Sequence, residues 1–391
     1  MDITSLPDPG FVFWPVGCGD STTVVLDAET VLQVDLHHLE CAEGEEDART
    51  PVIDRLVELL PQRDGRPYLA AFGVTHLDED HIKGFAELLD EVTIGDLWFT
   101  PRILWEQEED PEAVLCEDAE AFVKEAERRI NLVKAQGAVG SGDRIRIIGY
   151  HDVLVAHKEI YKDLPERSIT APGNSFTHID GVDKSGCFSA FVHAPFKEDT
   201  EGARNDTSFA LQITLDDGLG RGRALLLGDL SYPHLKRIFD ISEDEKVAWD
   251  VFLSPHHCSK SAMYYDDEAQ TDAEPRTELL DAIEAAGAES AYIIASSGPI
   301  PETDVRSANP PHAKAAARYR ERVEDGHFLC TGEYPNEQKP EPIVFALVDG
   351  TLVLQPAEGE TTARESVGVG AAVDDARGHE AASTTVGFGR A

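Results

Sequence analysis

The segment from residue 68 to residue 81 constrains this chain more than any other, because an apolar run ends there in a dense group of metal-ligand residues. Residues 68–74 read YLAAFGV, a short apolar strand, and four of the next seven residues are His76, Asp78, Asp80 and His81. An isolated histidine or aspartate is usually structural, whereas four within six residues behind a strand are hard to explain without a function. Imidazole and carboxylate together favour zinc, manganese or iron over calcium. We therefore predict a metal site at the end of this strand.

Two later apolar strands end in residues of the same kind. Residues 224–227 read ALLL and are followed by Gly228 and Asp229, and residues 251–253 read VFL and precede a loop that contains His256 and His257. A buried carboxylate needs a cation or several hydrogen-bond donors, because leaving it unpaired is costly. The alternative for Asp229 is an N-cap of the following helix. Because strands deliver such residues to a common crevice at their carboxyl ends, we expect the three groups to meet.

The order of the predicted elements indicates an α/β fold. Strands are expected at 11–16, 22–26, 31–36, 68–74 and 94–99, with helices near 51–60 and 82–89. A second strand-rich half has strands at 187–193, 208–215, 224–227, 251–253 and 292–295, with helices near 232–239 and 276–286. Two such halves are compatible with a four-layer αββα sandwich.

This fold is expected to occupy residues 1–355 as one domain. Residues 100–185 are largely polar apart from a helix at 118–136 and a strand at 144–148, and we interpret them as an insertion or a lid beside the site. Residues 356–391 are rich in Gly, Ala, Ser, Thr and acidic groups, which predicts a disordered tail.

The net charge and the lack of long apolar runs indicate the salt conditions and the cellular location of the protein. Lys and Arg number 34 against 74 Asp and Glu, a net charge of -40. Self-repulsion of this size is screened in molar salt, so we interpret the acidity as adaptation to a salty cytoplasm; an acidic mesophilic protein is the alternative. No apolar run approaches the length of about 18 residues that spans a membrane, and no signal peptide is evident, so we expect a soluble cytoplasmic protein without a membrane partner. The six cysteines form no C-x-x-C pair.

In order and spacing, the three ligand groups resemble the metallo-β-lactamase superfamily. The resemblance is closest to the hydrolase domain of the ComEC/Rec2 competence proteins and its stand-alone relatives. Further matches in order are the turn at 16–21 (VGCGDS), the strand at 31–35 (VLQVD), residues 205–208 (NDTS), and a closing loop formed by 297–298 (SG) and 309–312 (NPPH). The membrane segments of the competence proteins have no counterpart here.

The resemblance implies two divalent metal ions, zinc first, with manganese or iron as alternatives. The ligands it implies are His76 and Asp78 for one ion, Asp80 and His81 for the other, Asp229 as a bridge, and either His256 or His257. Asp35 would orient ligands from behind. Classical β-lactamases have histidine at the position of Asp78 and a further histidine ligand, for which His193 is the candidate here. Cys258 is interpreted as either an extra ligand or a buried thiol.

The resemblance also implies hydrolysis, with hydroxide held by the metal as the nucleophile and with Asp80 and Asp229 as the catalytic residues. The competence-type likeness favours a phosphodiesterase or nuclease-like enzyme acting on a small phosphodiester or a nucleic acid. Expected substrate contacts are Asn205, Ser208, Ser259, Lys260 and His312. The lack of a basic stripe opposes a nuclease. A small-molecule thioester or lactone hydrolase and a catalytically silent, metal-binding regulatory module remain the alternatives.

Overall fold

Two β-sheets form the centre of the fold. The structure is a computed structural model, and it describes residues 4–44, 47–106, 114–199, 204–264, 274–304 and 309–357. Its strands are β1 Gly10–Phe13, β2 Thr22–Asp27, β3 Thr30–Val34, β4 Gln62–Arg63, β5 Arg66–Gly73, β6 Thr93–Phe99, β7 Arg144–Ile148, β8 Ile169–Thr170, β9 Ser175–Phe176, β10 His178–Ile179, β11 Val182–Asp183, β12 Phe188–Ala194, β13 Ala210–Asp216, β14 Arg221–Leu226, β15 Trp249–Leu253, β16 Gly287–Ala295, β17 Phe328–Cys330, β18 Ile343–Val348 and β19 Thr351–Leu354.

Each sheet combines an antiparallel half with a parallel half. Sheet 1 has the order β19-β18-β1-β2-β3-β5-β6-β7-β8, with β4 paired to β5, and it is parallel from β3 to β8. Sheet 2 has the order β17-β16-β15-β14-β13-β12-β9, and it is parallel from β14 to β17. The strands β5, β14 and β15, which carry the predicted ligands at their carboxyl ends, therefore all lie in parallel halves. Strands β10 and β11 form a separate hairpin.

Helices cover the outer face of each sheet. Their bounds are α1 Val52–Leu59, α2 Glu79–Ile82, α3 Phe85–Glu91, α4 Glu117–Gln136, α5 His151–His157, α6 Tyr232–Ile241, α7 Asp244–Val247, α8 Thr277–Ala286 and α9 Ala313–Arg320. Within the described residues, no helix combines the length and the apolar character that crossing a bilayer requires. The predicted helix at 82–89 is two helices, because the chain turns at Gly84, whose φ is 90°.

Three apolar cores establish four layers. The central core contains inward side chains of both sheets, such as Val24 of β2 and Val251 of β15. A second core packs sheet 1 against α1, α3 and α4, and a third packs sheet 2 against α6, α8 and α9. Along β15 the side chains alternate as a strand requires, since Val251 and Leu253 enter the central core while Phe252 enters the outer one. The sheets therefore lie face to face between two helical layers, which confirms the predicted αββα fold class.

Part of the segment interpreted as an insertion or lid belongs to this framework. Strand β7 pairs in parallel with β6, and α4 contributes Phe122 and Ile130 to the core of sheet 1. Asp118 of α4 accepts hydrogen bonds from the backbone N–H groups of Gly84 and Ala86, both at 2.9 Å. Helix α4 is therefore fixed to the sheet and to the start of α3. The sequence predicted this helix and this strand, but it did not predict their packing into sheet 1.

We expect Ile130→Val to lower the free energy of unfolding by about 1 kcal/mol, because it removes a buried methylene from the outer core of sheet 1. Denaturant unfolding followed by circular dichroism measures the change. The control is Glu127→Ala on the exposed face of the same helix, which should change stability by less than about 0.5 kcal/mol. Equal stability of the two variants would show that α4 does not pack as described.

The described residues up to Gln355 belong to one compact unit. The predicted disordered tail at 356–391 lies outside the described residues from residue 358 onward.

Candidate metal centre

Loops from both sheets meet at the carboxyl ends of their parallel strands. The loop after β5 carries the motif at 76–81, the loop after β14 carries Asp229, and the turn after β15 carries the paired histidines. Backbone hydrogen bonds join these loops, because the N–H of His256 donates to the carbonyl of Gly228 at 3.1 Å and the N–H of Asp20 donates to the carbonyl of Asp80 at 3.1 Å. The crevice is therefore assembled from four chain segments that are far apart in sequence.

Four buried side chains form the core of the crevice. Asp20, His81, Asp229 and His257 each offer one ligand atom, and these atoms all lie within 4.8 Å of one another. His81 Nε2 lies 3.1 Å from Asp229 Oδ1 and 3.2 Å from His257 Nε2. Asp80 Oδ2 lies 3.2 Å from the same His257 nitrogen. Two imidazoles and three carboxylates thus converge on a small volume.

When the two central imidazoles are neutral, they present unshared electron pairs to each other. His257 Nδ1 lies 3.1 Å from the carbonyl oxygen of Ser296, which only accepts hydrogen bonds, so Nδ1 carries the hydrogen. His81 Nδ1 lies 2.8 Å from Asp35 Oδ2, which fixes its hydrogen on Nδ1 in the same way. In the neutral rings both Nε2 atoms are therefore acceptors, and they face each other. A cation between them resolves the repulsion.

A second group of side chains surrounds the other oxygen of Asp229. Asp229 Oδ2 lies 3.5 Å from His256 Nε2 and 3.8 Å from His76 Nε2, and Asp78 Oδ2 lies 3.4 Å from that His76 nitrogen. The structure thus places both His256 and His257 against Asp229, one on each of its oxygens. Asp229 stands between two groups of ligand-type side chains.

Asp35 contacts Thr75 and His81 behind the cluster. It is buried, and its Oδ1 accepts from the backbone N–H of Thr75 at 2.7 Å while its Oδ2 accepts from the Thr75 hydroxyl at 2.8 Å. Together with the contact to His81, this fixes the ring orientation of a ligand and the start of the motif loop.

Asp78 has a partner that sequence reasoning missed. The guanidinium of Arg204 donates to Asp78 Oδ1 at 2.6 Å and also contacts the buried carboxylate of Glu106. The other oxygen of Asp78 stays toward His76. No motif marks Arg204 in the sequence, because its role depends on a loop that is distant from the motif in the chain.

The charges of the centre depend on one another. Burial disfavours charge on His81 and His257, but Asp229, with Asp35 beside the first and Asp20 beside the second, raises the pKa of each well above its usual value. Burial raises the pKa of Asp229, but the two imidazoles outweigh it and hold that pKa well below its usual range. A metal ion that binds here would compete with protons for the two imidazoles, so its affinity is expected to fall at low pH.

Burial leaves several ligand atoms of the centre without hydrogen bonds. When the imidazoles are neutral, His76 Nε2, Asp229 Oδ1 and Asp20 Oδ1 are buried atoms without a hydrogen-bond partner. Buried polar atoms are rarely left unpaired in folded proteins, because desolvation without a partner is costly. Together with the acceptor nitrogens of His81 and His257, these atoms fit divalent metal ions, and imidazole with carboxylate is the donor set of zinc, manganese or iron.

Asp20 and His37 are the other contributors that sequence reasoning missed. Asp20 was noted only as part of a turn motif, and it joins the cluster because the β1–β2 turn folds back onto Asp80. His37 is half-buried and lies beside Gly19, where an added Cβ would lie 2.2 Å from its Nδ1. Burial lowers the pKa of His37 to about 4, so this ring stays neutral. The glycine in the turn is therefore required by a close approach.

The paired histidines sit on a strained turn. Residues His256, His257 and Cys258 all have positive φ, at 51°, 52° and 65°. Left-handed conformations of non-glycine residues cost on the order of 1 kcal/mol each and cluster at functional sites. Cys258 is fully buried in the outer core of sheet 2, and burial raises the pKa of its thiol, as expected for the buried-thiol alternative.

The structure divides the predicted substrate contacts into two classes. Ser208 and His312 are buried: Ser208 Oγ lies 3.3 Å from His76 Nδ1, and His312 Nδ1 accepts from the backbone N–H of Lys260 at 3.3 Å. Ser259 is buried too, and its Oγ accepts from the N–H of Ser261. These three side chains hydrogen-bond within the loops around the centre, and their contact with a substrate stays a prediction. Lys260 is exposed and Asn205 half-buried, so both remain accessible.

His193 does not belong to the centre. Its Nε2 donates to the carbonyl of Lys246 at 2.9 Å and its Nδ1 accepts from the Ser242 hydroxyl at 3.1 Å, so both ring nitrogens are occupied away from the cluster. The expectation that His193 lies beside the metal is therefore wrong, because strand β12 delivers this ring to the loops around α7.

His193 gives a prediction for the pH dependence of stability. Burial lowers the pKa of His193 to about 4, from 6.5. The unfolded chain then binds more protons between these pH values, so this histidine destabilises the fold as pH falls through that window, by about 3 kcal/mol at most. Thermal unfolding at pH 7 and pH 4 measures this. His193→Gln, which keeps a donor for Lys246, should lose less stability on acidification than the parent chain, and equal losses would contradict the assignment.

Comparisons with known proteins find likeness in solved structures. No protein-family model matches the chain, and neither does any curated protein. The chain is similar to the metallo-beta-lactamase fold protein YhfI from Bacillus subtilis, with 13% identity over 82% of this chain and 95% of that one and a TM-score of 0.38. It is also similar to BJP-1, a subclass B3 metallo-beta-lactamase of Bradyrhizobium japonicum (13% identity, 72% and 88% covered, TM-score 0.30), and to the archaeal metallo-beta-lactamase superfamily protein ST1585 from Sulfolobus tokodaii (11%, 81% and 96%, 0.29).

Proposed function

We propose that this protein is a metal-dependent hydrolase with two divalent ions, zinc first and manganese or iron as alternatives, and that it cleaves phosphodiesters. The proposal rests on the position of the Asp229 carboxylate. Its Oδ1 lies 3.1 Å from His81 Nε2, and its Oδ2 lies 3.5 Å from His256 Nε2, so one buried carboxylate faces both groups of ligand-type side chains. A carboxylate in this position suits a bridge between two ions.

The residues of the chain divide the work of such a site. His81, His257, Asp20 and Asp80 would hold one ion, His76, Asp78 and His256 the other, and Asp229 both. When bound, a pair of divalent ions lowers the pKa of water and polarises the bond to be cleaved. Asp80, which lies against His257 at the rim of the cluster, would orient the attacking water.

Two features support a phosphodiester as the substrate. Asp78 stands where classical β-lactamases have histidine, which is the pattern of the competence-type hydrolases in the sequence resemblance. Lys260, an exposed cation three residues after His257, supplies a positive charge for a phosphate. The net charge of -40 favours a small phosphodiester over a long nucleic acid.

A substrate panel tests the proposal. Metal-loaded protein is assayed with bis-p-nitrophenyl phosphate, a thioester and a lactone, in low salt and in molar salt, before and after chelation. We expect turnover of the diester that chelation abolishes and added metal restores. Lys260→Gln should raise KM for the diester about tenfold, while Lys236→Gln, on helix α6, should not. Turnover of the lactone or thioester alone would reassign the substrate class, and bound metal without turnover of any substrate would favour a regulatory module.

A further inference from the structure

A cavity of about 740 Å³ lies along the parallel edge of sheet 1, away from the residues of the metal centre. Strands β7 and β8 and the end of helix α4 line it, together with the segment at 174–178. None of the predicted or observed metal-centre residues is among its lining residues. Its volume is in the range of small-molecule sites, which is about 300 to 1,000 Å³.

Basic residues outnumber acidic residues in the lining of this cavity, whereas acidic residues outnumber basic ones in the chain as a whole. Across the sequence, Lys and Arg number 34 and Asp and Glu number 74. The cavity is lined by Arg144, Arg146 and Arg167 and by one acidic residue, Asp96. Three cations against one carboxyl, in a chain with twice as many acidic as basic groups, mark this surface as a place where positive charge is concentrated.

Arg146 is a buried cation without an ion pair. It is 8% exposed, and its guanidinium donates to Thr170 Oγ1 at 2.8 Å and to the carbonyl of His178 at 3.0 Å, both neutral acceptors. Its guanidinium carbon lies 4.1 Å from the centre of the Phe176 ring. Among the described residues, no carboxylate forms an ion pair with it. A buried charge of this kind is costly unless an anion compensates it.

The neighbouring charges compensate Arg146 only in part. Arg144 is paired with Asp180 at 3.1 Å. Arg167 is exposed and donates to the backbone carbonyl of Gly137, and within the described part of the chain it too has no carboxylate partner. Asp96 lines the cavity and attracts Arg146 through space, but it forms no ion pair with that guanidinium, and burial raises its pKa to about 6.

We propose that this cavity binds a small organic oxyanion, a carboxylate or phosphate ester that carries an apolar or aromatic group. The oxyanion would accept hydrogen bonds from Arg146 and Arg167, whose planar guanidinium groups suit carboxylate and phosphate oxygens. The apolar part would lie against Phe176 on the inner side of sheet 1 or against Val133 and Ile145 on its outer side, all of which line the cavity. The site is separate from the proposed active centre and does not depend on its chemistry.

Calorimetric titration of the full chain with phenyl phosphate and with benzoate tests this, with benzamide as the uncharged probe. We expect the two anions to bind, benzamide not to bind, and affinity to fall with added salt. Arg167→Gln should weaken binding about tenfold, because a charge-assisted hydrogen bond is lost. The matched control is Arg66→Gln, since Arg66 is also exposed and also donates to one backbone carbonyl, that of Asp90, but lies outside the cavity.

Two further results separate this site from the metal centre. Asp229→Ala, which removes the bridging carboxylate, should leave binding of both anions unchanged, whereas anions held by metal ions would be lost in that variant. No binding of either anion up to about 10 mM, equal affinities in Arg167→Gln and in the parent chain, or loss of binding in Asp229→Ala would each overturn the proposal.

Discussion

Asp229→Ala is expected to abolish hydrolysis, with a loss of about 10³-fold or more in kcat/KM, while the chain remains folded. The reason is that Asp229 faces both ligand groups, so its removal takes a ligand from each ion at once. The steady-state rate on bis-p-nitrophenyl phosphate measures the loss, and circular dichroism reports the fold.

Glu79→Ala is the matched control for this variant. Glu79 lies inside the same motif but is exposed and pairs with Lys83 in the next turn, so its loss should leave the rate within about twofold. If Asp229→Ala kept its activity, Asp229 would not be a bridge. If both variants lost activity equally, the motif loop rather than the carboxylate would be responsible.

Asp35→Ala is expected to weaken metal binding by about 10- to 100-fold. Asp35 accepts three hydrogen bonds, from the N–H and hydroxyl of Thr75 and from Nδ1 of His81, and all three donors would be left buried without that partner. The free energy of unfolding should also fall by about 3 kcal/mol. Competition with a coloured chelator measures the affinity, and chemical unfolding measures the stability.

Asp35→Asn separates positioning from packing. The amide oxygen can still accept from the Thr75 N–H, but its NH₂ group cannot accept from His81 Nδ1, so the wrong tautomer of the ligand becomes accessible. We expect Asp35→Asn to recover most of the stability but little of the metal affinity. Recovery of both would mean that the hydrogen bond from His81 Nδ1 to Asp35 does not position the ring for metal binding.

The features that sequence alone predicted are local ones. The apolar runs at 68–74 and 251–253 could be recognised as strands, and the residues at their carboxyl ends had to converge once those strands lay in parallel halves of facing sheets. Helix α4 and strand β7 were predicted within one residue of their observed bounds, but their packing into sheet 1 was not, because a polar surface hides a one-sided apolar face.

The features that sequence missed depend on contacts between distant segments. Asp20 reaches the centre only because the β1–β2 turn contacts the motif loop, and strand β18 joins sheet 1 beside β1 from the far end of the chain. His193 looked like a ligand from its order in the chain, but strand β12 directs it to Lys246. Ser208, predicted as a substrate contact, lies beside the centre, but its buried hydroxyl contacts His76.

The number of metal ions bound per chain tests whether Asp229 bridges two ions. Metal-free protein is titrated with zinc near neutral pH, and the bound metal is measured by elemental analysis after gel filtration. We expect two zinc ions per chain in the parent protein and at most one in Asp229→Ala. A parent protein that binds no zinc, manganese or iron, or an Asp229→Ala variant that still binds two ions, would contradict it.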